Sequence, residues 1–487
     1  MKTRLIIDNK FVCVENADRS VIRKIEKITS YLVAGHYYAP SFRAHRWDGK
    51  EHLLKYSKRY GYRFPTGLLM NVLDMLKKND LEFETIDMRR RKSASIKYFW
   101  DKNVVLRPYQ KKCVEAVVSK PMPGRGIVVM PIRSGKTIVA AAIAKKLGVQ
   151  FAFCVTSQLL LRQTQRSFEK IFHEEIGIIG DGEWNEQRIT VATVQTLSRA
   201  KGGEKTGKDG GKKTTPTDPR YKPFMEKVDL VFFDECHHLK AGGWRSVFQD
   251  FDTPYKIGLS ATVFLDNERE CEKGVIWLQA CCGNVRYRIS PTKLIREGFL
   301  MAPEIKLYRV DEPKGIVDYR WSNSLAVEAI YKNEKRNELI CELANEHLQA
   351  GRKVLIIANR LAQIDALSET LHDAGVLHAV VTGRTSSAKR KELIEDYVEG
   401  HYNVLMGTVF GEGVDLPSVE VVINAEGGRD IKSTIQKMRN LTPKEGKTKA
   451  IYVDFMDFMN PYFAEHSLER LRVYREEAGF KIKIQRA

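Results

Sequence analysis

Apolar positions along this chain follow two successive rhythms. Over residues 3–15 they form short runs on either side of Asp8-Asn9, which predicts strand, turn and strand. Over 18–33, Val21, Ile22, Ile25, Ile28 and Leu32 recur at helical spacing. Trp47-Asp48-Gly49 reads as a turn into a strand from His52 to Tyr56. A helix over Leu68–Lys78 and a strand over Leu81–Ile86 follow, so the opening region is a small α/β module. Arg89 to Lys92 with Ser93-Ala94-Ser95 reads as a charged linker, which places a first domain at 1–95.

Beyond it the pattern changes to apolar, β-branched runs alternating with longer helical stretches. Ile127–Val129, Phe151–Val155, Ile189–Thr193, Leu230–Phe233 and Ile257–Leu259 are the first set. Val354–Ala358, His378–Gly383, Asn403–Gly407, Val421–Ala425 and Ala450–Asp454 are the second. Apolar strands alternating with helices predict α/β domains with parallel sheets covered on both faces. Residues 200–222, rich in Gly, Lys and Thr with Pro216 and Pro219, predict a flexible basic surface insertion. Residues 464–487 read as a basic amphipathic C-terminal helix and tail.

A net charge of +19 changes the picture, because it points to a polyanionic partner, nucleic acid ahead of membrane. No apolar segment is long enough to span a bilayer, and no signal peptide opens the chain, so a cytoplasmic protein is expected. Cys13, Cys113, Cys154, Cys236, Cys271, Cys281, Cys282 and Cys341 form no CxxC pair and read as reduced, mostly buried thiols. Cys271, Cys281 and Cys282 with His237 or His238 fit no zinc spacing. Within residues 41–69, Arg43, Arg46, Lys50, Lys55, Lys58, Arg59 and Arg63 interleave with Tyr56, Tyr60 and Tyr62. That is either a nucleic-acid surface or a solvated basic hairpin with its tyrosines in the core.

The chemistry centres on Gly126 to Gly148. A strand turns through Pro131-Ile132-Arg133-Ser134-Gly135 into an alanine-rich helix from Lys136. Strand, tight loop and helix make a phosphate cradle, with Lys136 on the β/γ-phosphates and the Thr137 hydroxyl on Mg²⁺. The match to GxxxxGK plus Ser or Thr is partial, since Met130 replaces the first glycine. A basic turn before a core helix is the plainer reading. Downstream, the apolar strand Leu230–Phe233 ends in Asp234-Glu235. Asp234 can hold Mg²⁺ through water, and Glu235 can orient and deprotonate an attacking water. Upstream, Leu106-Arg107-Pro108-Tyr109-Gln110 puts a glutamine where it can bond an adenine edge. Thr156, Ser157 and Gln163 follow a strand's C-terminal end, where ligands bind in open α/β sheets.

In this order, these signals resemble a superfamily 2 helicase or translocase of the DExH type over roughly residues 100–460. LRPYQ resembles the adenine-reading motif, MPIRSGKT motif I, TSQLLLRQ motif Ia, DECH motif II and SAT motif III. VATVQTL resembles the strand-exposed nucleic-acid motif that follows Ia, and GTVFGEGVDLPSVE, with Gly413 and Asp415, resembles motif V. Motif VI departs from its usual form: Gln436 is followed by Arg439, one place from the expected position, and Pro443 stands where a further arginine is usual.

The resemblance implies two tandem RecA-like parallel-sheet lobes, 96–298 and 299–463, with ATP and Mg²⁺ between them. Arg107, Gln110, Pro131, Ile132, Arg133, Ser134, Gly135, Lys136, Thr137, Gly413 and Asp415 would bind nucleotide. Lys136, Asp234, Glu235, Gln436 and Arg439 would carry catalysis. Thr156, Ser157, Gln163, Thr193, Thr382 and Thr408 would track a strand's phosphates, without reading sequence. RWDGKEHLL and FPTGLL further resemble the N-terminal double-stranded-DNA module of phage recombination helicases of the UvsW type. GNVRYRISPTKLIREGFL resembles their crossing between lobes. The resemblance therefore implies branch migration, fork regression and unwinding of branched or partly single-stranded DNA, in a bacterial host's cytoplasm if the chain is phage-encoded. Arg43, Arg46, Lys58 and Arg59 would grip that DNA. A double-strand translocase, an RNA helicase and a non-catalytic binding protein with a decayed motor are the other readings.

Overall fold

In a computed structural model, residues 2–486 are described except 34, 91–94, 120–123, 132, 207–211, 262–272, 301–302, 311–326, 411–415, 417, 429–449 and 477–479. They divide into two compact units: Met1–Pro131 with Gly135–Ile289, and a second one consisting chiefly of Ser290–Ala487.

The opening region contains β1 (Thr3–Ile7), β2 (Phe11–Glu15), β3 (Ser30–Leu32), β4 (Lys50–His52), β5 (Lys55–Ser57), β6 (Gly61–Pro65) and β7 (Phe83–Asp87). Five of them form a sheet in the order β5-β6-β2-β1-β7. Leu5, Val12, Val14 and Phe64 are buried with Val21 and Ile25 of helix Arg19–Ile28 and Val72 and Leu76 of helix Leu69–Lys78. Two expectations are corrected. The first helix stops at Ile28, and Leu32 lies exposed on β3. The single strand expected from His52 to Tyr56 breaks at Leu53-Leu54, whose burial in the core separates β4 from β5.

This region is not a tethered module. Ile276 and Ala280 of helix Lys273–Cys282 are buried in its core cluster. A Cβ on Gly67 would stand 2.1 Å from the Gln279 carbonyl oxygen, so only glycine permits the approach. Arg125 Nη2 donates to the Asn9 carbonyl at 2.8 Å, and Trp277 Nε1 donates to the Tyr31 hydroxyl at 3.2 Å. Arg89, expected in a charged linker, forms a fork with Asp87, its Nη2 2.7 Å from Oδ2.

The first motor sheet comprises β8 (Arg125–Val129), β9 (Phe151–Val155), β10 (Gly177–Gly180), β11 (Glu183–Asn185), β12 (Ile189–Thr193), β15 (Leu230–Asp234), β16 (Tyr255–Ser260) and β17 (Val285–Arg288). Its order is β11-β10-β12-β9-β15-β16-β8-β17, and every neighbour pair is parallel except β10–β11. The chain leaves β8 and re-enters at β9, with β15 and β16 filled in later between them. That reversal opens a crevice at the strands' C-terminal ends. Within the insertion expected to be flexible, β13 (Gly203–Thr206) and β14 (Lys212–Thr215) pair as an antiparallel ribbon. Its tip, residues 207–211, lies outside the described residues.

The second unit is built on β18 (Glu304–Val310), β19 (Val354–Ile357), β20 (His378–Val381), β21 (Val404–Gly407), β22 (Val421–Asn424), β23 (Ile451–Asp457) and β24 (Lys481–Arg486). All are parallel, in the order β20-β21-β19-β22-β23-β18-β24. The chain end is therefore not a tail. Helix Pro461–Glu476 buries Phe463, Arg470 and Tyr474, and β24 closes the sheet's edge beside β18.

Candidate nucleotide and nucleic-acid site

The buried strand β8 delivers the chain to the predicted phosphate loop. Arg133 takes φ +59° and Gly135 φ +82°, both in the left-handed region. For Gly135 this is free; for Arg133 it costs on the order of 1 kcal/mol. Helix Lys136–Leu147 then begins with Gly135 as its N-cap, so the N-cap residue offers no side chain to the first-turn amides. A Cβ on Gly135 would lie 2.4 Å from Gln110 Nε2, so Gln110 abuts the loop. Gln110 is buried, and its Oε1 accepts the Arg107 N–H at 2.9 Å at the start of helix Pro108–Val118. Arg107 Nη1 donates to the Tyr109 hydroxyl at 3.2 Å. Pro131 and Ser134 are buried in the loop and Thr137 is half-buried. Ile132 lies outside the described residues.

β15 brings the acids to the same place. Lys136 Nζ donates to Glu235 Oε1 at 3.3 Å, with the two side chains 11% and 14% exposed. Glu235 sits at φ +50°, and its N–H donates to Asp234 Oδ1 at 3.1 Å. Because β16 runs parallel beside β15, Ser260 lands next to them. Its hydroxyl donates to Glu235 Oε2 at 3.4 Å, and His237 Nδ1 lies 3.1 Å from the Ser260 oxygen and 3.4 Å from Glu235 Oε2. The sequence placed Ser260 in the SAT motif but gave it no role at the site. The signal for it was a strand ending in a hydroxyl directly after the acid-ending one.

Thr156, Ser157 and Thr193 lie at the C-terminal ends of the neighbouring strands β9 and β12. Their groups already have local duties. The Thr156 carbonyl accepts Gln195 Nε2 at 2.6 Å, Ser157 Oγ caps Leu160 N–H, and Thr193 Oγ1 donates to Thr196 Oγ1 at 2.8 Å. Gln163 is one turn into helix Gln158–Phe172, half-buried. Thr382 and Thr408 follow the paired strands β20 and β21; Thr382 Oγ1 accepts the Arg384 N–H at 3.2 Å. Gly413, Asp415, Gln436 and Arg439 lie outside the described residues. Arg43, Arg46, Lys58 and Arg59 are all exposed on the opening region. Tyr56, Tyr60 and Tyr62 are exposed as well, which removes the reading that put them in the core.

Cys236, Cys281 and Cys282 are buried, Cys236 and Cys282 packing around Gly258, and burial pushes the Cys281 thiol up to about 11. Cys271 lies outside the described residues. Among the described residues the group able to hold a metal is Asp396, Glu399 and His401 on the second unit. No described helix is long and apolar enough to cross a membrane.

Residues 103–265 match the family described as Type III restriction enzyme, res subunit, and 334–439 match the Helicase conserved C-terminal domain. These two matches, one on each parallel sheet, define the class of the protein, an ATP-dependent nucleic-acid helicase. The chain belongs to the superfamily 2 helicases. It is similar to the DNA 3'-5' translocase XPB2 of Sulfurisphaera tokodaii, 26% identical over 414 residues that cover 76% of this chain and 84% of the relative. It is also similar to a protein of Escherichia phage T5 named as a probable helicase, 26% identical over 79% of this chain and 78% of that one. In fold it resembles S. cerevisiae Dbp5 bound to RNA and ADP BeF3, with TM-score 0.55, 16% identity, and 78% and 89% of the two chains covered.

Proposed function

We propose that this helicase uses ATP to move along DNA and remodel branched structures. The observation that carries the reading is the 3.3 Å approach of Lys136, at the end of the candidate phosphate loop, to Glu235, just after the acid-ending strand β15. The left-handed loop and a helix start with no capping side chain fit a bound phosphate. ATP with Mg²⁺ supplies the transferable phosphoryl group and neutralises its charge. Lys136 would face the β/γ-phosphates, Thr137 and Asp234 the metal, and Gln110 the adenine. Arg107, Pro131, Ile132, Arg133, Ser134 and Gly135 would complete the cradle.

Glu235 would orient water and accept its proton, held in an unfavourable backbone conformation that its surroundings maintain. Ser260 and His237 would link that carboxylate to the nucleic-acid strand. Gly413, Asp415, Gln436 and Arg439 are assigned to the nucleotide by family likeness, with Arg439 acting on transition-state charge. Thr156, Ser157, Gln163, Thr193, Thr382 and Thr408 would follow phosphates along the strand. Their capping duties leave backbone amides as the better donors. Arg43, Arg46, Lys58 and Arg59 would hold the phosphates of an adjoining arm.

The named DNA translocase among the relatives favours DNA over RNA, and 3′-to-5′ movement comes with it as an expectation. ATP hydrolysis and strand displacement on forks, four-way junctions, linear duplex, single-stranded DNA and RNA decide the matter. Branched DNA should stimulate most. Equal stimulation by linear duplex without strand separation would make the protein a duplex translocase. Preference for RNA would reject the DNA reading.

A further inference from the structure

The outer hairpin of the opening sheet lies outside both family matches and is not explained by the motor. β5 is the sheet's edge, and β6 pairs it with Tyr56 opposite Tyr62. The two rings lie 5.0 Å apart, tilted by 55°, and are 65% and 37% exposed. Two residues along β6, on the same face as Tyr62, Phe64 is fully buried. The tyrosine pair therefore stands where the covering of this face runs out. On the turn, the Arg59 guanidinium lies 4.9 Å from the Tyr60 ring. Lys55 and Lys58 are exposed, and no Asp or Glu occurs between Glu51 and Asp74.

We propose that this hairpin edge is a stacking site for unpaired bases of single-stranded nucleic acid. A purely structural cross-strand pair would bury its rings, and a plain solvated edge would carry lysines without them. A duplex presents phosphates and sugars and keeps its base faces stacked internally. Exposed rings flanked by cations match what an unpaired strand offers: a π-face on every base and a phosphate between. At a branch the hairpin captures bases as they leave the duplex. This binding is independent of the nucleotide site, so it survives even if the ATP reading fails.

The test uses the full chain without nucleotide and labelled oligothymidylate and oligouridylate of about 15 nucleotides, beside blunt duplex DNA. Tyr56→Ala should weaken oligonucleotide binding about fivefold or more, with an unchanged salt dependence and melting temperature. Duplex binding should change far less, and Tyr56→Phe should bind like the parent. Lys58→Ala with Arg59→Ala should make the salt dependence shallower, by about 0.7 in log–log slope per lost contact. A stronger effect on one oligonucleotide than the other tells DNA from RNA. Unchanged oligonucleotide binding in Tyr56→Ala would overturn the proposal. So would an equal loss on blunt duplex, or a loss confined to Tyr37→Ala with Tyr38→Ala, another exposed pair of rings in the opening region.

Discussion

Each motor sheet carries acids on an inner apolar strand, at the end of β15 and at the middle and end of β23, and the two sets are built in opposite ways. At β15, Glu235 meets Lys136, Ser260 and His237 and keeps some access to water. At β23, Asp457 takes the Arg336 guanidinium, Nε to Oδ1 2.8 Å, with both side chains at 0% exposure. Asp454 takes Arg470 at 2.8 Å, the Tyr474 hydroxyl at 2.7 Å and Asn424 Nδ2 at 3.1 Å. The same arginines reach on, Arg336 Nη1 to the Ala425 carbonyl at 2.8 Å and Arg470 Nη1 to that of Gly428 at 2.6 Å. Burial alone would lower the Arg470 pKa, but the Asp454 carboxylate beside it raises it overall. A carboxylate sealed by two or three donors is committed to the fold. One that keeps some access to water beside a loop, held by longer contacts of 3.3–3.4 Å, can exchange partners, and only the second kind can do chemistry on a ligand.

The sharpest way to test the contrast is to neutralise one acid of each kind. Glu235→Gln should lower ATP turnover by about 10²–10⁴-fold, with thermal melting close to that of the parent. Unaltered turnover would remove Glu235 from the chemistry. Asp454→Ala should instead cost about 3–5 kcal/mol in stability of the second unit, because it leaves the Arg470 charge buried and unpaired. Denaturant unfolding measures it. Replacing both partners, Asp454→Leu with Arg470→Met, should recover most of the loss if the pair is purely structural.

Acid provides a milder probe of the sealed region. His347, buried on the helix Glu334–Gln349 that also carries Arg336, has its pKa lowered by burial from 6.5 to about 4. Between those values the unfolded chain binds a proton that the folded one does not. Stability from this group is therefore complete above pH 6.5 and lost as pH falls toward 4, by up to roughly 3 kcal/mol. His347→Gln should flatten the acid limb of a melting-temperature profile over that window, and an identical profile would clear His347 of the effect.

The smallest expected effect lies in the phosphate loop. Arg133→Gly should relieve left-handed strain and stabilise the protein by about 1 kcal/mol. A simultaneous rise in KM for ATP would show that the guanidinium contributes to nucleotide binding in exchange for that strain. An unchanged KM would make it a bystander.

Much of this was legible without coordinates because it is local. The runs at Ile127–Val129, Phe151–Val155 and Leu230–Phe233 can be read as strands without knowing their partners, and Gly135-Lys136 marks a loop-to-helix turn by itself. The end of the chain shows the limit. Lys481-Ile482-Lys483-Ile484 alternates with the period of a half-buried strand, yet without a partner it reads as a basic tail. β18, more than 170 positions earlier, supplies the ladder, and Lys483 then pairs with Glu304 at 2.7 Å.

By itself, then, the sequence determined the alternation of strands and helices and the loop-to-helix turn at Gly135-Lys136, since each depends on neighbours a few residues apart. It left the acids of β15 and β23 indistinguishable, because the arginines that seal one set arrive from helices elsewhere in the chain. It also left the opening region looking separable, because Ile276 and Ala280 complete that core from a helix about 200 positions downstream. Tertiary structure alone decided which charges were consumed by the fold and which stayed available, since burial is a property of what packs on a residue rather than of the residue itself.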